Sequence, residues 1–120
     1  MRKQAKILLI DDDPDFVEAT STLLENFYQV AVAFDGQEGL KKAQEERPDL
    51  IILDVIMPVL DGLEVHKRLK RDPHLANVPV IMLTCLSHEP DEAMEAEDYI
   101  DKMELSIMEL PERVHRLLRS

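Results

Sequence analysis

The run Leu50-Ile51-Ile52-Leu53, followed at once by Asp54, constrains the fold more than any other part of the chain. Consecutive apolar residues without alternation are what a strand buried on both faces requires. Such a strand belongs in a parallel sheet with helices packed on each side. Met57-Pro58 and Asp61-Gly62 then stop the strand and turn the chain. A second run of the same design, Ile7-Leu8-Leu9-Ile10, ends in Asp11-Asp12-Asp13. In an open parallel sheet the carboxyl ends of the strands line the ligand crevice. Side by side, two such strands bring Asp11, Asp12 and Asp54 to one edge. Clustered carboxylates resist ionising unless a cation neutralises them, and an all-oxygen set favours a hard ion such as Mg²⁺.

Strand-like and helix-like segments alternate along the rest of the chain. Strands are expected at 6–10, 29–34, 50–55, 79–84 and 98–102. The spacing predicts a helix over 14–27, with Phe16, Thr20, Leu23, Leu24 and Phe27 on one face and Pro14 in the first turn. A second helix runs from Gln37 to Glu46, presenting Leu40 and Ala43, and a third over 62–71 presents Val65, His66 and Leu69. The last, over 106–119, carries Ile107, Leu110, Val114, Leu117 and Leu118, with Ser106 and Glu109 in a capping-box pattern. Pro111 inside it demands a kink or a restart. The alternation implies right-handed crossovers and a doubly wound, five-stranded parallel sheet. Only the segment 86–97 departs from it: Pro90 and the acidic residues leave room for a fourth helix that is shortened or missing.

The length of 120 residues suits a single domain over 1–120. A net charge of −11 argues against direct binding of nucleic acid, whose phosphates most of the surface would repel. No apolar stretch is long enough to span a membrane, and MRKQAK at the start leads into a strand without a signal-peptide apolar region. The single cysteine, Cys85, rules out an internal disulfide framework and fits a reducing compartment, so a cytoplasmic location is expected. His66 reads as a packed helix residue. His74, His88 and His115 show no zinc-ligand spacing with it or with Cys85.

The segments KILLIDDDPDF (6–16), PDLIILDVIMPVLDG (48–62), VIMLTC (80–85) and DYIDK (98–102), in that order, resemble the receiver domain of bacterial response regulators. The resemblance covers nearly the whole chain and implies a flavodoxin-like fold like that of the chemotaxis receivers. It also implies a role in two-component or phosphorelay signalling. A histidine kinase or phosphotransfer protein would pass a phosphoryl group to Asp54 with Mg²⁺, and a downstream effector or fused output domain would read the result. By this resemblance Asp12 matches the direct metal ligand, Asp11 the partner reaching the ion through water, and the backbone carbonyl of Ile56 a further ligand beside Asp54. Thr84 and Lys102 match the hydroxyl and ammonium that contact the phosphoryl group, and Tyr99 the switch aromatic. Asp13 is expected at the following helix N-terminus rather than on the metal.

Several positions depart from the family pattern. Met103 stands where the family has a proline in a cis bond, which puts the reach of Lys102 in question, since a cis bond before a non-proline costs about 2.5–4 kcal/mol. Cys85 is larger than the usual residue after Thr84. Ile56 and Leu86, beside the phosphoryl position, are apolar and cannot orient an attacking water.

Other functions fit the residues less well. A phosphatase or phosphomutase with an aspartyl nucleophile would place a second Asp two positions on, where this chain has Ile56. The three glycines, 36, 39 and 62, make no G-x-G-x-x-G for a dinucleotide. The chain therefore reads as a self-modifying signalling module and not an enzyme with turnover. Its alternative is a degenerate receiver that serves as a phosphorylation-independent interaction module, favoured by Met103 and the short 86–97 segment and opposed by the intact Asp11, Asp12, Asp54, Thr84 and Lys102 set.

Overall fold

Five parallel strands form one sheet: β1 (Lys6–Ile10), β2 (Gln29–Ala33), β3 (Leu50–Asp54), β4 (Val80–Thr84) and β5 (Asp98–Asp101), in the spatial order β2-β1-β3-β4-β5. The computed structural model describes residues 5–84, 96–102 and 107–119. Between the strands lie α1 (Pro14–Leu24), α2 (Gly36–Glu46) and α3 (Gly62–Arg71), and α4 (Leu110–Leu118) follows β5. This is the doubly wound sheet expected from the alternation of elements, and the flavodoxin-like fold that the resemblance implies.

The unalternated apolar runs are explained by two cores, one on each side of the sheet. Leu8, Ile10, Ile51, Leu53 and Met82 point one way, onto Ala43 of α2 and Val65 and Leu69 of α3. Their neighbours Ile7, Leu9, Ile52, Ile81 and Leu83 point the other way, onto Val17 and Leu24 of α1 and Leu110 and Val114 of α4. Successive side chains on a strand alternate faces, so a central strand with helices on both sides has no polar face to spare. The apolar strand residues of β1, β3 and β4 from Ile7 to Leu83 that carry this core are within 1% of full burial, and each contributes about 1.5–3 kcal/mol of transfer free energy.

Each of the first three helices starts on an aspartate that closes the loop from the preceding strand. Asp13 Oδ1 accepts from the amides of Asp15 (3.0 Å) and Phe16 (3.3 Å), Asp35 Oδ1 from Glu38 (2.7 Å) and Asp61 Oδ1 from Glu64 (2.9 Å). Such caps satisfy amides that the first turn leaves without partners. The expected placement of Asp13 at a helix N-terminus is therefore what the structure has.

Helix boundaries differ from expectation in two places. α1 stops at Leu24, and its buried seam is Val17, Thr20 and Leu24. Phe27 lies beyond the helix and is 53% exposed. The chain must turn there into β2, so that residue leaves the apolar face it would have joined. At the other end of the chain, Pro111 produces the restart: a 3-10 turn at Ile107–Glu109 gives way to α4, with the proline in its first turn where no amide is needed. Ser106 and its expected cap lie outside the described residues, as do Met103, Cys85, Leu86 and the 85–95 part of the segment in which a shortened fourth helix is expected. No helix among the described residues is long and apolar enough to cross a membrane.

Both sheet edges are tied to neighbouring side chains. At β5, the Arg113 guanidinium forks onto Asp98 with two bonds of 2.8 Å, and Glu97 Oε1 accepts the amide of Val80 at 2.7 Å. At β2, Lys42 Nζ donates to the Val32 carbonyl at 2.5 Å and Glu38 Oε1 accepts the Phe34 amide at 2.7 Å. These two α2 residues are themselves 3.9 Å apart.

Gly62 fixes how closely α3 approaches the end of β3. Its amide donates to the Val55 carbonyl at 2.8 Å, and a Cβ on it would lie 2.1 Å from the carbonyl oxygen of Asp54. Only the absence of a side chain permits that approach. Gly62→Ala should therefore destabilise the domain by about 1–3 kcal/mol, the usual range for overpacking, read as a lower midpoint in urea unfolding. An unchanged midpoint would show that the β3–α3 junction is slack.

Candidate functional site

The spatial order of the strands places β2 and β3 on opposite sides of β1, and the register aligns Ile10 with Leu53, Asp54 with Leu83 and Thr84 with Asp101. The carboxyl ends of four strands therefore meet at one edge, where the crevice of such sheets lies. Asp11 follows β1, Asp54 ends β3, Thr84 ends β4 and Lys102 follows β5. The structure brings all four together, although they come from segments as far apart in sequence as residues 11 and 102.

Asp11 and Thr84 are fully buried and Asp54 is 3% exposed, while Asp12 faces solvent. One oxygen from each of Asp11, Asp12 and Asp54 lies within 4.8 Å of the others. Lys102 reaches the cluster: its amide donates to the Thr84 carbonyl at 2.6 Å, and its ammonium stands 2.7 Å from Asp11 Oδ2 and 3.6 Å from Asp54 Oδ2. The ammonium is thus shared between the two aspartates, with the shorter contact to Asp11. Met103 has not prevented the lysine from reaching the site. Asp11 Oδ1 is occupied by the amide of Asp13 at 2.9 Å, and Asp54 Oδ1 by the amide of Ile56 at 3.3 Å. The Ile56 side chain itself is half exposed beside the site.

Two features mark the site as incomplete by itself. The Asp54 carboxyl is pushed up to about 6, first by burial and then by the charge of Asp11, with Lys102 and the Ile56 amide opposing and Asp12 adding a little. Among the described residues three carboxylates face one ammonium, so negative charge remains in excess. Thr84 Oγ1 is buried with no hydrogen-bond partner among the described residues, a condition that costs about 1–3 kcal/mol. The donor set is all oxygen and anionic, which fits a hard divalent cation. The unmatched hydroxyl is a donor with no acceptor among the described residues.

Tyr99 lies half buried in β5, opposite Met82, and packs against the core beneath α2 and α3. His66 is buried on α3, as a packed residue. One residue beside the site was not singled out for it by sequence reasoning. The ring of Phe16, in the first turn of α1, lies 4.4 Å from the Lys102 ammonium. Its placement on the apolar face of α1 was readable, but that it meets a lysine from the far end of the chain depends on the sheet order.

The fold and the acidic strand-end cluster define a receiver. The chain belongs to the response regulator receiver domain family, whose model matches residues 7–115. Among relatives, it is 42% identical over 119 residues to the alkaline phosphatase synthesis transcriptional regulatory protein PhoP of Bacillus subtilis, covering 95% of this chain and 48% of that protein. It is 33% identical over 103 residues to protein PilH of Pseudomonas aeruginosa, covering 82% and 85%. Of solved structures, a response regulator from Chloroflexus aurantiacus superposes with a TM-score of 0.89 at 31% identity over 98% of this chain and all of that one. The receiver domain of Francisella response regulator 1452 superposes with a TM-score of 0.87 at 34% identity, covering 96% and 97%. The chain spans about half the length of the PhoP relative and of the DNA-binding regulator RpaA of Synechocystis.

The raised Asp54 carboxyl makes stability depend on pH with a definite sign. The unfolded chain ionises this group near 3.8 and the folded one near 6, so the protonated form favours folding. Its contribution is intact below about pH 4 and disappears as pH rises through 6. Without divalent ions, Asp54→Asn should then gain about 1–3 kcal/mol over the wild type at pH 7 and much less at pH 4. Paired urea titrations at the two pH values check this. An equal difference at both would show that Asp54 carries no burial penalty.

Proposed function

We propose that Asp54 is the phosphoacceptor of this receiver and that its chemistry uses Mg²⁺ held by Asp11, Asp12, Asp54 and the backbone carbonyl of Ile56. The observation that carries the reading is the gathering of three carboxylates, one ammonium and one unmatched hydroxyl at a single strand edge. The cation would neutralise the cluster so that Asp54 ionises and an anionic donor can approach.

The protein groups then divide the work. An Asp54 oxygen attacks phosphorus, forming the new O–P bond as the bond from phosphorus to the donor's leaving group breaks. Thr84 Oγ1 donates to a phosphoryl oxygen and gains the partner it lacks among the described residues. Lys102, 3.6 Å from Asp54, meets the charge on another oxygen. This is positioning and charge stabilisation, which phosphoryl transfer chiefly needs. Tyr99 is proposed as the aromatic that responds to movement of Thr84 toward the phosphate.

The donor is proposed to be a histidine kinase or phosphotransfer protein, and the reader a downstream protein or an output domain. The chain is read as a signalling module spanning 1–120, located in the cytoplasm. With a net charge of −11, this domain is not expected to hold DNA itself, and binding of the kind named for the Synechocystis regulator would lie outside it.

Intact-mass measurement after incubation with a small phosphodonor and Mg²⁺ tests the site. One phosphoryl group should be added to the wild type and none to Asp54→Asn or to the wild type in EDTA. Phosphate on another residue, or its addition without a divalent ion, would refute the assignment.

A further inference from the structure

We propose that Phe16 is a positioning residue for the phosphoryl-transfer site, holding the Lys102 ammonium between Asp11 and Asp54 with the face of its ring. The inference rests on the reading of Asp54 as phosphoacceptor. The ammonium lies 4.4 Å from the ring centroid, inside the roughly 6 Å within which an aromatic face attracts a cation. The contact is shielded, since the Lys102 side chain is only 12% exposed, and shielding from water strengthens such an interaction.

The contact is also built into the surrounding hydrogen bonds. Asp11 Oδ1 accepts the Asp13 amide. Asp13 Oδ1 in turn accepts the Phe16 amide at the start of α1. The Phe16 ring lies against the Lys102 ammonium, and that ammonium returns to Asp11 Oδ2. Each member of this closed ring fixes the next, so the aspartate that caps α1 also sets where the aromatic face stands.

The aromatic ring supplies something that the carboxylates cannot. Lysine is a flexible four-carbon stem ending in a point charge, and the pull of Asp11 and Asp54 on it weakens once a divalent cation neutralises them. Attraction to the ring quadrupole does not depend on the ionisation of either aspartate. Phe16 therefore keeps the ammonium beside Asp54 in the cation-loaded state, in which the transfer takes place.

The test compares wild type, Phe16→Leu and Phe16→Tyr, using acetyl phosphate and Mg²⁺ so that no partner surface is involved. Leucine keeps an apolar side chain of similar reach, and tyrosine keeps the aromatic face. Phosphorylation of Asp54, followed by intact mass, should slow about fivefold in Phe16→Leu, which corresponds to the loss of roughly 1 kcal/mol of cation–π attraction, and recover in Phe16→Tyr. The Lys102 ε-methylene protons should show an upfield ring-current shift by NMR in wild type and Phe16→Tyr and lose it in Phe16→Leu. Equal rates in wild type and Phe16→Leu, equal slowing in both variants, or ε-protons that do not respond to the leucine would overturn the inference. Failure of the site reading is seen separately, as wild-type protein that gains no phosphate on Asp54.

Discussion

Asp11 and Asp54 end or follow adjacent strands, almost wholly out of contact with water, with the Lys102 ammonium between them. Two buried carboxylates at that spacing repel each other, and burial penalises each charge separately. One ammonium offsets part of this and no more, which is why the Asp54 carboxyl stays raised. The arrangement survives because the strands that carry it are locked by the double-sided core. A less rigid sheet would relax and let the carboxylates separate into water. The instability at the strand edge is thus held by the packing below it, a division seen where a site is kept ready for a ligand.

The same logic explains how the site draws on so much of the chain. Parallel strands all deliver their carboxyl ends to one side, and each crossover returns the chain to begin again. Four segments therefore supply the site's groups, the first of them both Asp11 and Asp12, with positions set by backbone register rather than by loop conformation. The close approach of Gly62 to Asp54 and the backbone bond from Lys102 to Thr84 fix the remaining freedom. Binding groups mounted on strand ends in this way are more precisely held than groups on loops.

Much of this could be read from the residues. Leu50-Ile51-Ile52-Leu53 gave away a central strand because so short an unbroken apolar run, flanked by Pro48 and Pro58, suits a strand buried on both faces, and Asp54 inherited its position from it. Val65, His66 and Leu69 on α3 were readable because their spacing fits one helix face. Phe27 was misplaced on α1 because periodicity alone does not reveal where a helix must yield to the next strand. The restart at Pro111 was readable as a break, but not as a 3-10 turn leading into α4. Two features lay beyond any local pattern. The preference of Lys102 for Asp11, at 2.7 Å, over Asp54, at 3.6 Å, is set by the packed site. The meeting of Phe16 with Lys102 joins the first helix to the turn after the last strand.

The β2 edge carries a consequence for how copies of this domain behave at high concentration. An exposed strand edge is a template on which a second chain can add its own strand. Here the Val32 carbonyl and the Phe34 amide, two of the groups such a strand would seek, are already engaged by Lys42 and Glu38. Adding a strand would first require both side chains to be withdrawn, and their mutual attraction broken, before any new ladder bond formed. Two side chains of α2 thus raise the barrier to a second copy extending the sheet from this margin.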